Sequence, residues 1–260
     1  MAITKCGVHQ TPTFLVNSDW IKLPVLLDMK SISTPRMDKM ETTLHRQLKE
    51  AFARPGSQFE KKVGSFRIDV VSRGKLIEIQ HSGLSSIRTK VLTLLENYRV
   101  DVVKPLVIRK RLIKLDAKDG QVIDERWSNR RGSKWDLFAE LVYFTQVFPH
   151  PKLRLIVPLV EIEEIRFPGH GRRRRWRAAD FQVADRRLVK WHGCDNYVRS
   201  RDLCRLLPKG LPTQFDTKQL SEGLGIPRST AQQMAFVLRA TGAIDALGKN
   251  GNSWLYKKAA

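Results

Sequence analysis

Apolar positions change their period several times along the chain, and each change marks an element. Met37, Met40, Leu44, Leu48 and Ala51 recur at intervals of three or four, which predicts a helix over residues 37–51 that stops ahead of Pro55-Gly56. Three runs with strand character follow: QFEKKV at 58–63, FRIDVV at 66–71 and KLIEIQ at 75–80. Ile87, Val91, Leu94, Leu95 and Tyr98 restore helical spacing within 85–99, and the β-branched, basic stretch 102–116 reads as extended. Residues 135–148 predict a further amphipathic or buried helix, and 152–167 a further strand. The order α-β-β-β-α-β-α-β describes an α/β core of roughly 130 residues, an ordinary domain size.

The pattern changes again near the C-terminus. Asp216 or Thr217 can cap a helix that contains Leu220 and ends at 223–225, and Pro227 suits the first position of the next one. Ala231, Met234, Val237 and Leu238 give that second helix a buried stripe, and two short strands then flank the turn-rich residues 248–252. Four segments result: an N-terminal extension at 1–36, the core at 37–168, a basic loop and connecting region at 169–212, and a small unit at 213–260. Trp20, Leu23, Val25, Leu26 and Leu27 call for burial of the extension, while 178–212 carries no readable period.

Charge narrows the partners. Lys and Arg number 47 against 26 Asp and Glu, a formal net charge of +21. So basic a surface attracts polyanions, and nucleic acid, DNA foremost, is the expected one. Arg172, Arg173, Arg174, Arg175 and Arg177 surround Trp176, a set suited to phosphates and to stacking on an unpaired base. Basic residues also crowd 109–114 and 130–134. No apolar run reaches the roughly 18 residues of a membrane span, and residues 1–20 lack a signal-peptide core. Cys6, Cys194 and Cys204 make no even disulfide set, and His192 with Cys194 has no second ligand pair at zinc spacing. A reduced, cytoplasmic protein with no membrane partner is the expectation.

The strands at 66–71 and 75–80 face each other across Arg73-Gly74. A two-residue turn there pairs positions that sum to 147. Val70 then opposes Ile77 and Ile68 opposes Ile79, four apolar residues on one face; Asp69 opposes Glu78 on the other, with Gln80 two residues on. Like charges across a sheet are unfavourable, and a divalent cation between them removes the repulsion. Mg²⁺ suits a site of few carboxylates completed by water and phosphate oxygens. A solvated acidic pair on an exposed face is the alternative.

The order of elements and the Asp69, Glu78-Ile79-Gln80 wording resemble the PD-(D/E)xK nuclease superfamily over about residues 37–115. Glu-x-Gln followed by Ser82 is similar to CoiA-like competence nucleases. The resemblance implies a restriction-endonuclease-like mixed sheet flanked by helices. It also implies Mg²⁺ or Mn²⁺ held by Asp69 and Glu78, with Glu41, Asp69, Glu78 and Gln80 catalytic. Two departures are Ile68 where Pro is common and Gln80 where Lys is usual. Glu41 and Glu50 both offer the first-helix glutamate; Glu41 is preferred for its place beside the apolar stripe, one turn before His45. Arg88 and Lys90, near the start of the second helix, are placed to meet phosphate. The C-terminal unit resembles a winged helix-turn-helix, which implies reading by Arg228, Ser229, Thr230, Gln232 and Gln233 and a wing contact from Lys249. The expected function is metal-dependent hydrolysis of DNA phosphodiester bonds; the alternative is a non-catalytic or regulatory nucleic-acid-binding protein that keeps a degenerate nuclease core.

Overall fold

Helix α1 (Thr43–Phe52) begins where Thr42 Oγ1 accepts the His45 N–H, and ends at Ala53, two residues before Pro55. It is the first element in the computed structural model, which describes residues 41–169 and 180–259. The extension at 1–36 and the arginine run at 172–177 lie outside the described residues, as do Met37 and Met40.

After α1 come β1 (Gln58–Val63), β2 (Phe66–Ser72) and β3 (Lys75–Ile79), an antiparallel set. Arg73 and Gly74 both have positive φ (48° and 73°), the conformation a tight two-residue hairpin with the right twist demands. Chain then crosses through a 3₁₀ turn (Leu84–Ile87) and α2 (Arg88–Asn97) to β4 (Arg99–Val103), parallel to β3. β5 (Leu106–Leu115) continues the same line after Pro105, and β6 (Val122–Trp127) folds back on it. A 3₁₀ turn (Lys134–Asp136) and the short α3 (Leu137–Leu141) precede the long β7 (Leu153–Pro168) and β8 (Phe181–Tyr197). β7 runs parallel to β4 with its first half and to β5 with its second, while β8 covers its other edge. The result is an α/β fold with a mixed eight-stranded sheet.

Both faces of the centre of the sheet are buried, as parallel strands require. Leu44 and Leu48 of α1 cover Val70, Ile77, Ile79, Val103 and Ile156; residues of α2 and α3 cover Leu76, Val100, Val102, Leu155 and Val157. The C-terminal unit holds α4 (Thr217–Leu224), α5 (Arg228–Ala240) and a three-stranded sheet in the order β10 (Ile244–Asn250), β11 (Ser253–Lys258), β9 (Gln214–Phe215). Its buried Met234, Ala235 and Leu238 join the same apolar cluster as Leu137, Phe138 and Leu141 of α3. Among the described residues no helix is long and apolar enough to cross a membrane.

Several boundaries differ from the sequence expectation. α2 ends at Asn97 and β4 takes Arg99, because Tyr98 already has an extended backbone. Proline, lacking an N–H, divides the stretch 102–116 into two strands. Of the expected 135–148 helix only the stretch up to Leu141 is helical, entered through the 3₁₀ turn that starts at Lys134, although Phe144, Val147 and Phe148 are fully buried. β6 and the 17-residue β8 did not register in the periodicity: every residue of β6 is exposed, and β8 buries only Tyr197.

Candidate active site

The hairpin adopts the anticipated register: Val70 pairs with Ile77, Val71 with Leu76 and Ser72 with Lys75. The ladder stops there. β2 and β3 then part, so Ile68–Ile79 and Asp69–Glu78 are not ladder pairs. Ile68 leaves the cluster of Val70, Ile77 and Ile79 for the one on the other face. The Asp69 carboxylate enters the opening, where Oδ2 accepts the Ile79 N–H at 2.7 Å.

A dense set of charged groups gathers at this parting. His45 Nε2 stands 3.1 Å from Asp69 Oδ1 and 3.7 Å from Glu41 Oε1. Lys49, one turn further along α1, has a side chain only 5% exposed; it pairs with Glu41 at 2.5 Å and with Glu60. From the other side Lys90 of α2 donates to Glu78 Oε1 and, at 2.6 Å, to the Arg67 carbonyl. Glu41 itself is exposed and precedes the Thr42 cap rather than lying inside the helix.

The two central carboxyls differ electrostatically. Burial alone raises Asp69, but His45 and the Ile79 N–H bring it below the ordinary carboxylate value. Burial raises Glu78 as well, Asp69 adds to the rise, and Lys90 offsets only part of it, leaving the carboxyl pushed up to about 7. Glu78 Oε2 is fully buried and has no hydrogen-bond partner among the described residues. An oxygen so placed carries a desolvation cost of about 1–3 kcal/mol, more when charged.

Gln80 lies next to this pair in sequence, but its side chain is committed elsewhere. Its Nε2 contacts Ser82 Oγ (2.6 Å), the Gly83 carbonyl (2.8 Å) and Ser86 Oγ (2.7 Å). The amide therefore ties the β3–α2 loop together. Next to that loop, Lys104, almost fully buried at the break between β4 and β5, donates to the Ser82 carbonyl (2.5 Å) and pairs with Glu140 (3.1 Å). His81 sets its ring edge-on to His45, centroids 5.7 Å apart.

The structure thus brings Glu41, His45, Asp69, Glu78 and Lys90 together, with Gln80 at the margin. Arg88 is exposed on the first turn of α2. In the C-terminal unit Arg228, Ser229, Gln232, Gln233 and Lys249 are exposed and Thr230 is half-buried. Sequence reasoning missed Lys49 and His81. Lys49 follows His45 by four residues, a spacing that was a usable signal on a helix; His81 carried none beyond its place after Gln80. Among the described residues no group of three or more His, Cys, Asp or Glu converges as a ready metal cage, so a cation here would rest on two carboxylates with water or substrate oxygens.

Comparison with known proteins gives kinship without an activity. No solved structure matches the chain. An uncharacterized protein of Treponema pallidum (strain Nichols) is 29% identical over 220 residues, spanning 84% of this chain and 85% of the relative. Residues 42–196, from the Thr42 cap of α1 to the penultimate residue of β8, match the family described as Domain of unknown function (DUF8091). The chain belongs to the DUF8091 family.

Proposed function

We propose that the chain is a metal-dependent nuclease of the PD-(D/E)xK type, hydrolysing DNA phosphodiester bonds in the cytoplasm. The observation that carries this reading is Glu78 Oε2, a buried carboxylate oxygen with no partner among the described residues, beside a second carboxylate. A divalent cation gives that oxygen a partner and turns the Asp69–Glu78 repulsion into shared attraction. Asp69 and Glu78 would hold Mg²⁺ or Mn²⁺, consistent with hard cations that use one or two carboxylates plus waters and phosphate oxygens. When bound, the ion supplies a water of lowered pKa and a counter-charge for the leaving oxygen.

The chain's own residues account for the rest. His45 orients Asp69, as outer partners of ligating groups do. Lys90 provides from α2 the cation that Gln80 does not, already within reach of Glu78. Gln80 is a positioning residue that fixes the loop leading into α2. The order α1-β1-β2-β3-α2-β4, with β3 and β4 parallel, supports the restriction-endonuclease-like reading, and α4, α5 and the β10–β11 hairpin support a winged helix-turn-helix. That unit and the basic surface would hold the substrate.

The commitment of Gln80 to the loop favours one alternative, a nucleic-acid-binding protein without catalysis. Single-stranded, duplex and branched DNA incubated with pure protein and Mg²⁺, Mn²⁺ or EDTA separates the two. Cleavage that needs metal and vanishes in Asp69→Ala supports the nuclease; binding without cleavage on every substrate supports the alternative.

A further inference from the structure

A cavity of about 340 Å³ is lined on one side by His81 and Ser82, just beyond Gln80 in the chain. The cavity is linked to the carboxylates through His81, whose ring stands against His45, the partner of Asp69. Lys110 of β5 and Arg186 of β8 also line it, with Glu164 of β7 paired to both. Glu164 does not cancel both cations. Its Oε1 is taken by Arg166, through Nε at 2.7 Å and through Nη2, and Arg166 lines a different cavity. The second oxygen, Oε2, holds Lys110 at 3.2 Å and Arg186 at 2.8 Å. Three cations thus share one carboxylate, an excess of two positive charges, and the side chains of Lys110 and Arg186 keep 30% and 32% exposure. Glu164 thus fixes two cationic heads in place while leaving them accessible.

We infer that this cavity binds a phosphomonoester, the terminal phosphate of a nucleic-acid strand whose next linkage lies at Asp69 and Glu78. Two wall charges match a phosphomonoester, which carries about −1.5 to −2 near pH 7. An internal phosphodiester, with one negative charge, would leave a cation unanswered. Arg and Lys together suit the ligand, Arg by its fork and Lys as a point charge. Leu44 and Ile162 add an apolar wall for a sugar or base, and the volume sits near the roughly 300 Å³ lower limit of ligand pockets. One nucleotide fits and a duplex does not. The identity of the strand rests on the nuclease reading; the phosphate site itself does not need it.

The test uses the full chain in EDTA with labelled 12-nucleotide single strands ending in 5′-phosphate, in 3′-phosphate, or in hydroxyls at both ends. Fluorescence anisotropy should show one phosphorylated end bound about tenfold or more tightly than the hydroxyl-ended strand, the effect of one charged hydrogen bond. Inorganic phosphate should erase that difference and leave the remaining binding. Replacing Lys110, Glu164 and Arg186 together by Gln removes both cations without orphaning a carboxylate, and should abolish the preference; Asp69→Asn should retain it. Equal affinity for all ends, or a preference that survives the triple replacement or resists inorganic phosphate, overturns the inference. Metal-dependent cleavage without end preference sinks this site and spares the nuclease reading. End preference without cleavage under Mg²⁺ or Mn²⁺ does the reverse.

Discussion

Glu78 and Glu164 are both almost wholly buried, 8% and 2% exposed, yet their carboxyls are driven in opposite directions. Burial raises both. At Glu164 hydrogen bonds from Arg186 and Arg166 and the charge of Lys110 overcome it and bring the group to about 2. At Glu78 the neighbouring Asp69 adds to burial, one lysine answers, one oxygen has no partner among the described residues, and the group rises to about 7. Partner count, not depth, separates a fixed structural anion from a site short of positive charge. That shortage lies next to Asp69, which is why the proposed cation belongs there and not at Glu164.

The largest expected effect is on cleavage. Asp69→Asn or Glu78→Gln should reduce metal-dependent, single-turnover cleavage by more than the roughly 10–100-fold that losing an outer partner costs; His45→Ala should fall within that range. A Glu78→Gln protein that cuts normally would end the cation assignment. Stability should split with opposite sign. In EDTA at pH 8, Glu164→Ala should lose about 3 kcal/mol in urea unfolding, since three cations lose their anion. Glu78→Gln should gain about 1 kcal/mol or more by removing a buried ionised group. Losses of equal size in both variants would erase the distinction drawn between the two glutamates.

The same contrast predicts two limbs in metal-free stability against pH. Glu164 has a folded value of about 2 against an ordinary 4.5, so its contribution is present above about pH 4.5 and is lost as pH falls toward 2. Glu78 has a folded value of about 7 against 4.5, so its contribution is present below about pH 4.5 and is lost as pH rises through 7. Each limb is at most roughly 3 kcal/mol. Mg²⁺ competes with the proton at Glu78, so it should raise the unfolding midpoint at pH 8 more than at pH 5. A midpoint equally indifferent to Mg²⁺ at both pH values would leave Glu78 without its proposed ligand.

Only one of the two glutamates was legible in the sequence. Glu78 sits in a short hairpin whose register follows from Arg73-Gly74 and the apolar run around it, so its approach to Asp69 needed only local pairing. Even there the parting of β2 from β3 beyond Val70–Ile77 was hidden, as was the parallel pairing of β3 with β4 across α2, which joins residues far apart in the chain. Glu164 is bound by Lys110 from β5, 54 residues away, and by Arg186 from β8, 22 residues away, a meeting fixed by sheet order alone. In β8 half-exposed, charged residues alternate without an apolar stripe, so the strand itself escaped notice. The helical C-terminal unit was readable almost throughout, since the Asp216 cap, the left-handed Gly225 and the α5 stripe are local signals.

The smallest expected effect concerns that C-terminal unit and the proposed separation of holding from cutting. Deleting residues 213–260 is a poor test, because Met234, Ala235 and Leu238 share a core with Leu137, Phe138 and Leu141, and their removal would uncover α3. Surface changes avoid this. Arg228 and Lys249 are both exposed, on α5 and on the β10–β11 hairpin, and Lys249 stacks over the half-exposed Trp254. If both reach phosphates of duplex DNA, Arg228→Gln with Lys249→Gln should flatten the log–log salt dependence of binding by about 1.8, roughly 0.9 for each lost contact. The unfolding free energy should stay within about 0.5 kcal/mol, as expected for surface positions. Cleavage at saturating DNA should stay unchanged, because the carboxylates lie on the β2–β3 hairpin, which the three-stranded sheet does not touch through its ladder. An unaltered slope would make α5 a packing helix for α3 and leave substrate binding to the basic surface of the main sheet.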